Sequence, residues 1–285
     1  MSLRPVQLPA GQLNTSPDQI AANVRAACAR QLPQAKPYAA NGQRIAIVGG
    51  GPSLESTLDE LRAQTWRGDK VVAVNGAYHW LMARGIHPAN MVLVDARPFN
   101  ARFVQPPLST CKYFLSSQCA PESFAVLAGH DVTLFHSCGE EAAERPIIED
   151  YFDGAWHAVQ GSTVMVQAIT LMRMLGFLRM DLYGFDSCWL GDQHHGYAQA
   201  ENDRDQRLSV WSIPTNPRTG ERLEDQKRLF HCAPWHMKQL EDFQKVIAGM
   251  GSQLLVDVHG DGLIAHTMRT AAALAPLVEE EYATQ

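Results

Sequence analysis

The chain has 285 residues, with 46% hydrophobic and 19% charged residues and a formal net charge of −6. That apolar fraction and small charge exclude a disordered chain, and the acidic balance lacks the basic surplus or stripe of a general nucleic-acid binder. A length prior of roughly 150 residues per domain allows one or two domains, each able to fold on an apolar core without disulfide or metal staples.

Residues 1–42 are rich in Pro, Ala and Gln and are expected to form an N-terminal extension. It carries one helix, Asp18 to Arg30, opened by Ser16 and Pro17 in the cap and first-turn positions. Pro33, Pro37 and Asn41-Gly42 break the chain, and regular structure is expected from Arg44. Ile45 to Val48 is a short apolar run ending in glycines, as a buried parallel strand would be. Ser56 to Ala63 reads as a helix, with Ser56 and Asp59 as a capping pair. Val71 to Val74 is a second strand, followed by a helix with Trp80, Leu81 and Met82. Met91 to Val94 is a third, ending at Asp95. Lys112 to Ser116 and Asp131 to His136 flank a helix over Glu122 to Ala128. Ser162 to Leu175 is an almost wholly apolar helix, and Met180 to Tyr183 is a strand ending in Gly184-Phe185-Asp186.

The segment 187–233 breaks this rhythm. It is long and polar, yet at or near it lie Trp189, Trp211 and Trp235, and His194, His195, His231 and His236. Such a loop inside a compact domain reads as a lid or insertion. A helix over Trp235 to Met250, a strand over Leu254 to Val258 and a helix over Gly262 to Leu274 follow. The expected architecture is a Rossmann-like α/β domain over 43–275. It has a mostly parallel sheet with helices on both faces, a long loop insertion and a tail at 276–285.

None of the six cysteines stands in a C-x-x-C spacing, so they read as reduced, buried small residues. The first residues lack a basic start followed by an apolar run. The longest apolar stretch, Val164 to Leu178, is interrupted and too short to span a bilayer. A soluble cytoplasmic protein without a membrane span is expected.

In an open parallel sheet, ligands bind beyond the carboxyl ends of the strands. The first strand ends in Gly49-Gly50-Gly51-Pro52-Ser53, a turn whose backbone N–H groups and following helix suit a phosphate or carboxylate. No Gly-Lys-Ser/Thr follows, so it is not a Walker A loop. Leu54 stands where a dinucleotide fingerprint has its third glycine. Asn75 stands where an acid would bind the ribose. The second strand offers Asn75 and Gly76, the later one Gly184 and Asp186, and Gly161-Ser162-Thr163 opens the buried helix as a second anion cradle. Asp95 and Asp186 are candidate Mg²⁺ ligands. His194 or His195 is the candidate general acid or base, and neighbouring histidines on a strand would face opposite ways. Arg145, Arg173, Arg204 and Arg207 are unplaced cations.

The order of Gly49 to Leu54, Val74-Asn75-Gly76, Gly85-Ile86-His87-Pro88, Val94-Asp95, Gly161-Ser162-Thr163 and Leu182 to Asp186 resembles the MptE-like domain family. The resemblance runs from about Arg44 to Asp186 and more loosely to about Ala265. It implies a Rossmann-like nucleotide-binding fold. The family includes an archaeal enzyme that transfers pyrophosphate from ATP to a hydroxymethyl-dihydropterin with Mg²⁺. Motility accessory glycosylation proteins are relatives, and bacterial sialyltransferases using CMP-activated sugars are more remote. In the sialyltransferases a Gly-Asn-Gly-Pro-Ser-Leu loop, an Asn, a Ser and a His serve the nucleotide and the reaction. These correspond to Gly49 to Leu54 with Gly50 in place of Asn, to Asn75, to Ser162, and to His194 or His195. Asp95 stands where those enzymes have Asn.

Three readings follow. The first is pyrophosphoryl transfer from ATP to a small hydroxyl acceptor, with Asp95 and Asp186 holding Mg²⁺. The second is metal-independent glycosyl transfer from a CMP-activated sugar to a glycan or other acceptor. The third is a nucleotide-binding module without catalysis.

Overall fold

The apolar runs at Ile45 to Val48 and Val71 to Val74 lie at the centre of a sheet covered on both faces. The computed structural model describes residues 15–139, 142–202, 205–216, 218–250, 253–270 and 273–276. In chain order these form α1 (Pro17–Cys28), β1 (Asn41–Val48), α2 (Leu58–Trp66), β2 (Lys70–Val74), α3 (Ala77–Met82), β3 (Asn90–Leu93) and β4 (Lys112–Ser116). Then come α4 (Pro121–Val126), β5 (Val132–Ser137), α5 (Arg145–Phe152), β6 (Ala158–Val159), α6 (Val164–Met174) and β7 (Phe177–Tyr183). The last are β8 (Leu208–Ile213), β9 (Arg228–Cys232), α7 (Pro234–Met250), β10 (Leu255–Val258), α8 (Leu263–Thr270) and β11 (Ala273–Pro276).

Eight strands form one parallel sheet in the order β10-β7-β1-β2-β3-β4-β5-β6. Strand side chains alternate between faces, and β1 shows it. Ile45 and Ile47 pack with Val166, Ile169 and Met172 of α6 and Phe243 of α7, whereas Ala46 and Val48 pack with Leu61 of α2 and Leu81 of α3. Burial on both faces explains why these strands read as continuous apolar runs. This is the expected Rossmann-like α/β fold. The chain builds outward from β1 to β6, then β7 returns to the other side of β1. The reversal at β1 and β7 is a topological switch point, where the crossovers diverge and leave a crevice.

The N-terminal helix forms as expected. Ser16 accepts from the Gln19 amide, Pro17 occupies the first turn, and Ile20, Val24 and Cys28 pack with Ile148 and Trp156. The strand after it starts at Asn41, three residues before the expected Arg44. The expected capping pair at Ser56 and Asp59 does not form. Ser56 Oγ donates to the Ser53 carbonyl, and α2 begins after Thr57 without a side-chain cap. Within 187–233, β8 and β9 pair antiparallel, and β11 adds to β8, so much of this segment is a small sheet. The last helix stops at Thr270, and 273–276 is strand, because those residues pair with Val210 to Ile213. Of the expected tail only Pro276 lies among the described residues.

All six cysteines are buried and unpaired with one another. Among the described residues no helix is long and apolar enough to cross a membrane.

Candidate functional site

The ends of β1 and β7 are stitched together by the glycine turn. Gly49 N–H donates to the Tyr183 carbonyl and Gly51 N–H to the Gly184 carbonyl, each at 2.8 Å. A Cβ on Gly49 or on Gly51 would sit 2.7 Å from the Gly184 oxygen, so the backbones meet at a distance only glycine allows. Ser53 N–H donates to Asp186 Oδ2 at 2.9 Å. The expected convergence of loop amides on one anion is therefore not what the turn does. The amides of Gly49, Gly51 and Ser53 are used within the protein, because the turn has to lock β1 to β7 and to the segment after it.

Gly49, Gly50, Gly51 and Pro52 nevertheless line a cleft at this switch point, with a free volume of about 110 Å³. Its other walls are Asn75 and Gly76 beyond β2, Thr163 to Met165 at the start of α6, and Gly184 to Cys188 beyond β7. His194, His195, Tyr197 and Gln199 close it from above, and Trp235, His236 and Gln239 of α7 from the side. Thr163 caps α6, accepting from the Val166 amide, and points the positive end of that helix at the cleft. Gly161 and Ser162 do not line it. Gly161 takes φ +147° and its carbonyl accepts from Gln167 Nε2, while Ser162 is exposed and its hydroxyl bonds Asp242 on α7.

Two cleft residues share an unusual state. Asn75 and Ser187 have φ of +46° and +52°, a left-handed conformation rare outside glycine. Asn75 Oδ1 and Ser187 Oγ are both buried without a hydrogen-bond partner. Strain and unsatisfied polar atoms in one cleft mark a place built for a ligand.

Both His194 and His195 line the cleft. The expectation that neighbouring histidines diverge fails because they sit in a bend after the Leu190–Gln193 bridge, not on a strand. His194 Nδ1 and His195 Nδ1 are 2.6 Å apart. Burial, then the neighbouring His194, lowers the His195 pKa to about 4. Burial, with the other two imidazoles adding, lowers that of His236 to about 3. His236 Nδ1 accepts from the Ala233 amide at 2.9 Å, which puts its proton on Nε2. Trp189 stands edge-on to both His194 and His236. The cleft thus holds three histidines, with His195 and His236 neutral near pH 7.

The carboxylates are placed otherwise than expected. Asp95 does not line the cleft. Its Oδ1 accepts from the Arg97 amide and Nε, each at 3.0 Å, and its Oδ2 from Arg97 Nη2 at 2.6 Å. Asp186 lines the cleft but is 2% exposed, accepts from Ser53, and is raised by burial to a pKa of about 6. One carboxylate saturated by an arginine and one buried so that it favours its own proton do not fit a Mg²⁺ pair. Among the described residues no group of three or more His, Cys, Asp or Glu is arranged to hold a metal ion.

Arg145 lies over the Trp156 ring and Arg207 over Trp189. Neither they nor Arg173 lines the cleft, and Arg204 lies outside the described residues. Ser187, at the end of the Gly184–Asp186 segment, lines the cleft as a strand-end position should, whereas Tyr197 and Gln239 are cleft residues that sequence reasoning missed. The Gly196-Tyr197 pair directly after two histidines was the signal available for Tyr197.

Parallel sheet, switch-point cleft and glycine turn define the class: a Rossmann-like α/β protein. The chain belongs to the MptE-like family, described as 6-hydroxymethylpterin diphosphokinase MptE-like, which matches residues 18–192, more than half its length. Among solved structures, the Maf glycosyltransferase from Magnetospirillum magneticum AMB-1 superposes with a TM-score of 0.60 at 14% identity. The match covers 88% of this chain but 38% of that one, so this chain spans well under half the length of that protein. A mammalian sialyltransferase in complex with Gal-beta-1-3GalNAc-ortho-nitrophenol matches with a TM-score of 0.39 at 11% identity, over 88% of this chain and 81% of its own. No curated protein sequence matches the chain.

Proposed function

We propose that the protein is a nucleotide-dependent group transferase acting by glycosyl transfer from a nucleotide-activated sugar, of the CMP-sugar kind, without a divalent metal. The observation that carries this reading is the His194–His195 pair, joined through Nδ1 and facing the glycine turn and Asn75 across one cleft, while Asp95 is bound to Arg97. The donor's phosphate would lie toward Gly50 and the start of α6, where the helix end favours negative charge. Asn75 Oδ1 would accept a hydrogen bond from the base or sugar. The acceptor hydroxyl attacks the anomeric carbon, a C–O bond forms, the bond to the nucleotide phosphate breaks, and an imidazole of the pair takes the hydroxyl proton. The nucleotide leaves with the bonding electrons.

Pyrophosphoryl transfer from ATP to a small hydroxyl acceptor is the second reading, favoured by the family match. The two separate in one assay. Turnover of a CMP-sugar that survives EDTA supports the first. Turnover of ATP and a hydroxymethylpterin that needs Mg²⁺ would replace it with the second. Nucleotide binding without turnover of either donor would leave a binding module.

A further inference from the structure

The ring of Tyr197 stands in a slot walled by two glycine backbones. A Cβ on Gly50 would lie 2.5 Å from the Tyr197 hydroxyl, and one on Gly76 2.7 Å from ring atom Cε2. Both backbones press on the hydroxyl end of the ring, and the slot admits it because neither glycine carries a side chain. The ring is not held there by the sheet. It belongs to the segment beyond β7, which rests on the turn through Gly196 N–H donating to the Gly50 carbonyl at 2.9 Å. Further along, Glu201 pairs with Arg102, which lies in the helical turn 98–104.

On the far side of the ring lies a second cavity of about 620 Å³. Gly76, Phe103, Tyr197 and Gln199 border both this cavity and the cleft. Tyr197 is one of these shared walls, and its ring stands against Gly50 of the cleft and Gly76 of both. The cleft alone, at about 110 Å³, is too small for a nucleotide, since small-molecule sites run from about 300 Å³ upward. The two spaces joined are large enough. In the closed arrangement Asn75 Oδ1 and Ser187 Oγ are sealed from water without partners, which is unfavourable until a ligand supplies them.

We propose that the slot between Gly50 and Gly76 is the subsite for a flat heteroaromatic ring, the base of the donor, and that Tyr197 fills it in the empty protein as a displaceable stand-in. Residues 192–202 form the gate, and Arg102 with Glu201 is its latch. This rests on the nucleotide-donor reading above. A gate that must open lowers apparent affinity by the fraction of time it is closed, so loosening it tightens binding.

The test uses the full chain with CMP and ATP as probes, titrated calorimetrically, and hydrogen exchange at the Gly196 amide. Tyr197→Ala is expected to bind the accepted nucleotide about tenfold more tightly than the wild type. Glu201→Gln, a surface change, is expected to speed Gly196 exchange and to raise affinity severalfold. Weaker or equal nucleotide binding in Tyr197→Ala overturns the subsite, because a ring that stacks on the bound base would produce that loss. Unchanged Gly196 exchange in Glu201→Gln overturns the latch. Absence of nucleotide binding in the wild type and both variants overturns the donor reading and the subsite with it. Binding to the wild type without gain in the variants overturns the subsite alone.

Discussion

His194 and His195 meet through their Nδ1 atoms at 2.6 Å, although they are neighbours in sequence. One proton fits between two such nitrogens, so one imidazole donates and the other accepts. His195 is lowered to about 4, first by burial and then by His194. A base with a depressed pKa stays available as pH falls. The rate kcat/KM is expected to stay flat from pH 8 to pH 5 and to drop with an apparent pKa near 4. A pH–rate profile with its acid limb near 6.5, the ordinary imidazole value, would remove the pair from the role of base. His195→Gln is expected to lower kcat by about 10²–10⁴-fold without changing the circular dichroism spectrum.

Asp186 has the opposite linkage. Its pKa is raised by burial to about 6, so the folded state holds a proton that the unfolded chain releases near 4. Folded protein binds more protons between those values, and stability falls as pH rises through them. The wild type should lose up to about 3 kcal/mol between pH 4 and pH 7 from this group alone. Asp186→Asn keeps an acceptor for Ser53 N–H and cannot ionise. Urea unfolding at pH 4.5 and 7.5 should show the variant gaining on the wild type at the higher pH. A difference that is the same at both would contradict the placement of that proton.

A second network holds a histidine whose linkage has the same sign. His259 Nε2 lies 2.9 Å from Asp181 Oδ1 and its Nδ1 2.6 Å from Glu60 Oε2, while its ring stacks on Tyr183 at 4.2 Å. Burial opposes charge on His259, but Asp181 and Glu60 outweigh it and raise its pKa. Burial also opposes ionisation of Asp181, and Arg44, His259 and Gln64 hold it below the usual carboxylate range. The histidine's contribution is full below its unfolded pKa and is lost as pH rises through the folded one. His259→Asn should therefore destabilise the protein more at pH 5.5 than at pH 9 in chemical denaturation. Equal losses would mean that packing on Tyr183, not charge, is its role.

The glycines of the turn should differ when changed to alanine. At Gly51 the added methyl meets the Gly184 backbone and the Asp186 carboxylate, which cannot move without parting β1 from β7. Overpacking of this kind costs about 1–3 kcal/mol, read as a lower thermal midpoint. At Gly50 it meets only the outer ends of Tyr197 and His195. Gly50→Ala should lower its melting temperature less than Gly51→Ala, because side-chain ends and not strand backbone have to give, and should show faster exchange at Gly196. An equal fall in melting temperature for both variants would show that the segment over the turn is part of the core.

The central strands were legible because Ile45 to Val48 and Val71 to Val74 are buried on both faces and leave an unbroken apolar signature. Ala158-Val159 is too short for any period, so β6 and the helix before it were invisible. The hairpin of β8 and β9 hid for another reason. It is only partly buried, through Val210, Ser212, Ile213, Phe230 and Cys232, and its third strand comes from residues far along the chain. The strand-end rule found the glycine turn, Asn75, Asp186 and the histidines. It misplaced Asp95, since the bidentate grip of Arg97 depends on a turn two residues long. Ser162 faces outward because α6 is rotated by its apolar side toward Ile45 and Ile47. For Tyr197 the sequence offered only its place after two histidines, because its packing depends on two glycines from two different strand ends.

The seam between β1 and β7 also sets the order in which the protein matures. Val48 pairs with Tyr183, 135 residues later in the chain. Contacts of such long range close late, after the local units between them have formed. A nascent chain released before β7 can have β1 through β6 and still lack both the far wall of the cleft and the histidines. The complete cleft is in this fold a feature acquired last, and a rise in melting temperature on adding the ligand proposed for it would serve as a certificate of completed folding.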